Sequence, residues 1–407
     1  MSSWRSAEYV GSLSVLNVEI QREPAKYARK RAIDDVIIIF KRLKHYEGKG
    51  LYFTLIRLEK AKSMDHAKTD YQRPEEDAKN HGTMANLKRL FIVSRPEFLP
   101  ANLGSLIIGF AWGFNATSGL NLRLLALTIL SFSILATVSF IGAQLNTLSD
   151  YKLDSLEPRK MKLTKNLKEL GPQKVKTAIL IELVLSAIFV STLMYLRREP
   201  IQLAIYISVL FLTHAYSSPP LRLKAHSLLA MVSLCLVLSF LPIMFVYYTF
   251  AHELTTPFVL FLIGQTLTVY SIIIPTETRD YFVDKAMNVR TMTVWLGLSR
   301  ATVLAFALLF VGGGLSIAAF LMTQIFADHA LLMLAPLTMV AADLYIFRAY
   351  YRLYNLSRRQ EAVEGDMRGV IGEEVADFSS MNPKWITVAT QAIVFVNLIY
   401  FVGKILL

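Results

Sequence analysis

The chain has 407 residues, of which 54% are apolar and only 18% are charged. Soluble domains carry about 25% charged residues, so this composition excludes an ordinary soluble enzyme and indicates one large membrane bundle with a polar appendage. The net charge of +12 would suit nucleic acid or an anionic membrane surface, and the long apolar runs favour the membrane. The single cysteine, Cys235, excludes a disulfide or a cysteine-based metal site within one chain.

Residues 1–85 form a charged region without a run long enough to cross a bilayer. We expect a soluble or membrane-surface extension that ends in a polar linker, and no cleaved signal peptide. Apolar residues at helical spacing in residues 32–46 predict a helix lying on anionic lipid. Residues 36–40 and 51–58, separated by a glycine turn, could equally form a strand hairpin. No motif in this region identifies a protein partner.

Apolar stretches of roughly 20 residues recur from Leu99 onward, which is the length a helix needs to cross a hydrocarbon core of about 30 Å. Residues 86–407 are therefore predicted to form an all-α, multi-pass membrane domain with about nine transmembrane helices. The expected spans are 98–116, 122–146, 177–196, 200–217, 226–250, 257–275, 301–323, 330–350 and 386–406.

Lysine and arginine accumulate on one set of connections between these spans, at residues 152–176, 222–224, 279–300 and 348–359. The opposite set contains little beyond Arg197 and Arg198. Because basic residues are enriched in cytoplasmic loops, we expect a cell-membrane protein whose N-terminus and second and sixth span ends face the cytoplasm.

Two groups of acidic residues lie at the cytoplasmic ends of the second and sixth spans. The first group is Asn146, Asp150 and Asp154, at spacings of four, and the second is Glu277, Asp280 and Asp284, at spacings of three and four. Residues at these spacings share one face of a helix, where like charges repel each other. We therefore expect a cation to gather each group.

Magnesium is the expected cation, because it prefers oxygen ligands and is commonly held by carboxylates together with substrate phosphates. Two facing acidic helices with Mg²⁺ between them would bind a diphosphate. The simpler alternative is that these carboxylates are solvated at helix ends or pair with neighbouring basic residues, namely Lys152, Arg279 and Lys285.

The two acidic groups resemble the paired Asp-rich motifs of the UbiA superfamily of intramembrane prenyltransferases. Arg95-Pro96 before the first span, the segment 216–224 with the sequence YSSPPLRLK, and Thr291 and Gly297 also resemble family positions. The resemblance covers about residues 88–407 and implies nine helices and cytoplasm-facing acidic motifs. Thr147, Glu277 and Asn288 differ from the family pattern, which leaves the subfamily open.

The resemblance implies a site in which Asn146, Asp150, Asp154, Asp280 and Asp284 are catalytic and the four aspartates bind Mg²⁺. The metal would act as a Lewis acid on the leaving diphosphate. The side chains of Tyr151, Tyr216, Tyr270 and Tyr281 could stabilise a carbocation, and His214 could accept a proton, although a buried structural histidine is the alternative. The expected substrate-binding residues are Arg95, Arg159, Lys162, Tyr216, Arg222, Lys224, Glu277 and Lys285.

The implied reaction is Mg²⁺-dependent transfer of an isoprenyl group from an isoprenyl diphosphate to a lipophilic acceptor, as in lipid biosynthesis. Aromatic, tetrapyrrole and glycerol-lipid acceptors all stay open. A terpene cyclase of the same superfamily is the alternative enzyme. A cation-coupled secondary transporter is the alternative outside the enzymes, although transporter carboxylates are expected near the bilayer midplane. We expect membrane lipid, and no nucleic acid, as a partner.

Overall fold

A computed structural model describes residues 82–115, 121–155, 160–323, 325, 330–365 and 367–406. The predicted extension, with its alternative helix or hairpin in residues 32–58, lies outside the described residues. Across the described ranges the regular structure is helical, and the pairing of His226 with Arg290 is an isolated parallel bridge. The predicted all-α class is therefore confirmed, whereas the division at residue 85 stays a prediction.

Fourteen α-helices are numbered here in chain order over the described ranges. They are α1 (Thr83–Val93), α2 (Leu99–Gly113), α3 (Leu122–Asp154), α4 (Met161–Leu170), α5 (Pro172–Arg197), α6 (Pro200–Ser217), α7 (Ser227–Cys235), α8 (Leu241–Phe250), α9 (Thr256–Ala286), α10 (Met292–Leu296), α11 (Leu298–Leu321), α12 (Leu334–Val363), α13 (Val370–Ser379) and α14 (Asn382–Leu406). A π-helical turn, Leu236–Phe240, joins α7 to α8.

Seven helical segments within the described ranges are long and apolar enough to cross a membrane. All nine sequence-predicted spans nevertheless coincide with helices. The first coincides with α2, whose 15 residues extend only about 22 Å at 1.5 Å per residue, and the eighth coincides with α12, whose second half is charged. The count of nine spans therefore stays a prediction, while a multi-pass membrane protein is established.

Helices α9 and α11 form the most extensive helix pair in the bundle. They meet at Gly264 and Gly312, where a Cβ added to either residue would lie 2.6 Å from the carbonyl oxygen of the other. Small residues let backbones approach this closely in membrane helix pairs. A Cβ added to the neighbouring Gly313 would collide with the Asp343 carboxylate, whereas one added to Gly314 would meet no atom within 4 Å.

Helix α9 continues through Pro275 to reach the second acidic group. Proline has no amide hydrogen, so the carbonyl four residues earlier loses its helical donor. The hydroxyl of Tyr350 donates to that carbonyl, at Ser271, over 2.8 Å, and the amide of Asn382 donates to the carbonyl of Ile272 over 2.8 Å. These bonds from α12 and α14 fix the C-terminal third of α9.

We expect the substitution Gly312→Ala to destabilise the protein by about 1–3 kcal/mol, the usual cost of overpacking, because its Cβ would lie 2.6 Å from the carbonyl of Gly264. Gly314→Ala is the matched control, since its Cβ meets open space and alanine favours a helix by about 1 kcal/mol. Heating detergent-solubilised protein and measuring the monodisperse fraction would test this. Equal melting of the two variants would contradict the packing argument.

Candidate functional site

The first acidic group lies on the last two turns of α3. The side chains of Asp150 and Asp154 are buried, with 8% and 3% of their residue surfaces exposed, and Asn146 is partly buried. The helix runs unbroken through Asp154, so the predicted spacing of four residues does place the three side chains along one face. This face points into the protein.

The last residue of α6 supplies a hydroxyl to this group, and the segment that follows α6 supplies cations. Lys224 is buried and forms a close ion pair with Asp150, and its ammonium nitrogen lies 3.5 Å from the Asn146 amide oxygen. The hydroxyl of Ser217 donates to the same oxygen over 3.2 Å, and the guanidinium of Arg222 lies 3.8 Å from Asp150. The predicted loop therefore contacts the first acidic group directly.

The second acidic group lies on the last three turns of α9. Arg279 donates two hydrogen bonds of 2.9 Å to the two carboxylate oxygens of Asp280. Asp284 is 7% exposed, and its carboxylate makes no hydrogen bond or ion pair within the part of the chain that the structure describes. A buried carboxylate without a partner is costly, so Asp284 is suited to receive a cation.

Glu277 is satisfied by protein donors. One carboxylate oxygen accepts a hydrogen bond from the Tyr270 hydroxyl over 3.2 Å. The other accepts hydrogen bonds from the backbone amide and the hydroxyl of Thr293, over 3.0 and 3.2 Å. These contacts tie α9 to the start of α10, and the substrate-binding role expected for Glu277 stays a prediction.

Lys160 joins the two acidic groups, a role that the sequence analysis missed. Its ammonium nitrogen lies 2.9 Å from Asp154 on α3 and 3.1 Å from Asp280 on α9. One cation therefore bridges both motifs. In sequence Lys160 lies in a loop rich in lysine and arginine, and nothing in the pattern separates it from ordinary cytoplasmic loop charges.

Lys160 and Lys224 lie outside the apolar spans, and their pKa values shift in opposite directions. Burial lowers the pKa of Lys160, but the carboxylates of Asp280 and Asp154 outweigh this effect and raise the pKa above its ordinary value. For Lys224 burial is the stronger effect, so its pKa falls below the ordinary lysine value although Asp150 opposes the shift. Lys160 is thus held firmly in its charged form.

The other predicted substrate-binding residues have the following positions and contacts. Arg95 adopts a left-handed backbone conformation (φ 51°) and pairs with Glu97 at 3.2 Å. Lys162 is exposed and Tyr216 is half-buried. Lys285 donates to the Tyr281 hydroxyl over 3.2 Å, and Arg159 lies outside the described residues.

Two expectations about aromatic residues and histidine can be compared with the structure. Tyr270 and Tyr281 are buried, while Tyr151 is half-buried. His214 is exposed, so the buried structural histidine considered for this position is wrong. The neighbouring residues Thr213 and Ala215 are buried, so His214 lies on the outward side of α6.

The donor set of the site fits a hard divalent ion, because it consists of carboxylates and an amide oxygen. Within the described ranges, no three acidic, cysteine or histidine side chains form a ready-made metal cluster. The lysines instead hold oxygens from both motifs, and the bridge through Lys160 shows that one cation can contact Asp154 and Asp280 together. One of the ion pairs that the simpler alternative predicted, between Arg279 and Asp280, is also present.

Comparison with known proteins gives a consistent picture. The model of the UbiA prenyltransferase family matches residues 103–367. The fold is similar to that of a UbiA homologue from Archaeoglobus fulgidus, solved with DMAPP and Mg²⁺ (TM-score 0.53) and with GPP and Mg²⁺ (TM-score 0.51). In both comparisons the identity is 17%, with 74% of this chain and 99% of that chain covered. No curated protein sequence matches significantly.

We expect Glu277→Ala to destabilise the protein by about 1–3 kcal/mol, the cost of leaving buried donors unsatisfied, because Tyr270 and Thr293 both donate to this carboxylate. Glu277→Gln, which keeps one acceptor oxygen, should cost less. Thermal unfolding followed by tryptophan fluorescence measures both. An alanine variant that melts like the wild type but binds diphosphate weakly would instead support the predicted substrate-binding role.

Proposed function

Because the chain belongs to the UbiA prenyltransferase family, we propose that it transfers an isoprenyl group from an isoprenyl diphosphate to a lipophilic acceptor in the membrane. The observation that carries this proposal is the meeting of two acidic motifs at the ends of α3 and α9, close enough for one lysine to contact both. The DMAPP and GPP bound to the Archaeoglobus homologue support the class of donor.

In the proposed reaction the bond between the allylic carbon and the diphosphate oxygen breaks, and its electron pair leaves with the diphosphate. The allylic carbon then bonds to a nucleophilic atom of the acceptor, which gives up a proton. Negative charge develops on the leaving oxygen, so preorganised positive groups accelerate the step. Lys160, Lys224 and Arg222 already lie on the acidic motifs and would neutralise this charge.

Asp150, Asp154, Asp280 and Asp284 would hold Mg²⁺, with the Asn146 oxygen as a further donor. The ion would supply Lewis-acid stabilisation of the departing diphosphate and a template for its orientation. The faces of the buried rings of Tyr270 and Tyr281 are suited to stabilise a carbocation. The Asp284 carboxylate, which is buried without a partner in the described part of the chain, would be the first ligand of the ion.

The direct test of this function is turnover by purified full-length protein with an isoprenyl diphosphate and candidate acceptors. Mass spectrometry of the lipids that co-purify with the protein would identify the isoprenoid length and decide among aromatic, tetrapyrrole and glycerol-lipid acceptors. Product formed without any acceptor would instead identify a terpene cyclase. Release of diphosphate in none of these assays would contradict the proposal.

We expect Asp284→Asn and Asp150→Asn each to lower kcat by about 10²–10³-fold, the range seen when one preorganised electrostatic group is removed. The amide keeps the size of the side chain but cannot balance the charge of a metal ion. Glu253→Gln is the matched control, because Glu253 is exposed in the loop that precedes α9, at the opposite end of that helix from Asp280 and Asp284. If the two site variants fold and turn over at wild-type rates, the carboxylates do not bind the metal.

We propose that the acidic motifs and the N-terminus face the cytoplasm at the cell membrane, because the basic loops lie on the same side. In a Cys235→Ser background, Lys165→Cys and Asn288→Cys should resist an impermeant thiol reagent added to intact cells. Glu253→Cys, in the exposed loop between α8 and α9, should react. The reverse pattern of labelling would show that the motifs face outward.

A further inference from the structure

Lys160 uses one ammonium group to hold carboxylates from both acidic motifs. Its nitrogen lies 2.9 Å from an oxygen of Asp154 and 3.1 Å from an oxygen of Asp280, and the side chains of the two aspartates are 3% and 17% exposed. Lys160 itself keeps 23% of its side chain exposed. The lysine therefore closes the gap between α3 and α9 from the solvent side.

The oxygens that Lys160 contacts belong to the carboxylates proposed to hold the metal. An ammonium group and a divalent ion carry the same sign of charge and repel each other when they share one pair of carboxylates. Asp280 is additionally held through both oxygens by Arg279. A metal ion that binds Asp154 and Asp280 therefore competes with Lys160 for these carboxylates.

Lys160 has a new partner to move to when a diphosphate arrives. A lysine binds phosphate as a flexible point charge on a four-carbon stem, and Lys160 lies at the start of α4 with part of its side chain already in solvent. Ion pairs between Lys160 and a bound diphosphate would thus replace the ion pairs with Asp154 and Asp280 that are lost. A metal ion alone carries the same sign of charge and offers the lysine no new ion pair.

We propose that Lys160 occupies the place of the metal until diphosphate binds, so that metal and diphosphate bind together and metal alone binds weakly. This inference rests on the proposed function, since it assigns regulation to the same site. Asp284 lies buried without a partner within the described ranges and is the ligand at which the ion first enters. The consequence is positive coupling between the two ligands.

The test measures binding of Mn²⁺ to the full-length protein in detergent, by the loss of the free-ion electron paramagnetic resonance signal. Titrations are run with and without inorganic diphosphate, against protein-free blanks. Coupling between two ligands is typically 5- to 150-fold, so diphosphate should tighten Mn²⁺ binding to wild-type protein by about that factor. Wild-type protein that binds Mn²⁺ equally well without diphosphate overturns the inference, even if no variant folds.

Substitution of the lysine should reverse the pattern. We expect Lys160→Met to bind Mn²⁺ alone about tenfold more tightly than wild type and to lose most of the gain from diphosphate, which corresponds to removal of a coupling in the typical range. Lys160→Arg keeps the charge and should retain weak binding of Mn²⁺ alone. Lys165→Met, which removes the same charge from an exposed residue of α4, should behave like wild type.

The outcomes separate this inference from the proposed function. If Lys160→Met binds Mn²⁺ alone no more tightly than wild type and Lys165→Met, the inference is wrong while prenyl transfer can stand. Tighter binding in Lys165→Met as well would show a general effect of net charge, and this also overturns the inference. If the protein neither binds nor turns over an isoprenyl diphosphate, the proposed function fails, and the Mn²⁺ titration without diphosphate still reports on Lys160.

Discussion

Two helices that carry carboxylates on facing surfaces can approach each other closely only when cations lie between them, and the end of the bundle that contains the two acidic motifs depends on that constraint. Asp154 and Asp280 belong to α3 and α9, and Lys160 contacts both. Removing one partner of a buried ion pair leaves an uncompensated charge and commonly costs about 3–5 kcal/mol. The cation is therefore part of the fold as well as part of the site.

Two of these ion pairs join parts of the chain that are distant in sequence. Lys224, which pairs with Asp150, follows α6, whereas Lys160, which pairs with Asp280, follows α3. Each loop thus crosses from its own helix to a neighbouring acidic group. The ion pairs form only when α3, α6 and α9 are packed in their observed positions. The pairing of the charged side chains therefore depends on the packing of the apolar spans.

The sequence predicted the helices and the two acidic groups because both depend on local spacing. Apolar runs of membrane-spanning length and carboxylates three or four residues apart are visible without any tertiary information. The role of Lys160 depends on a contact across 120 residues with Asp280, and many loop lysines look alike in sequence. The hydrogen-bond partners of Glu277 could not be predicted for the same reason, since Tyr270 and Thr293 are brought together around it only when α9 and α10 pack.

The close contact of α9 with α11 and the proline within α9 give the second acidic group a rigid support. Gly264 and Gly312 allow the backbones to touch, and the carbonyl freed by Pro275 is satisfied by Tyr350. Because the Tyr350 hydroxyl on α12 replaces the missing helical donor, α9 can contain Pro275 without leaving a backbone carbonyl unsatisfied in the membrane. A carboxylate such as Asp280 is then held by a fixed helix, and adjustment to an incoming ligand falls to the flexible lysine opposite it. If the site binds a diphosphate as proposed, the acidic helices would keep the carboxylates in place while the lysine side chain changes partners as the diphosphate binds and leaves.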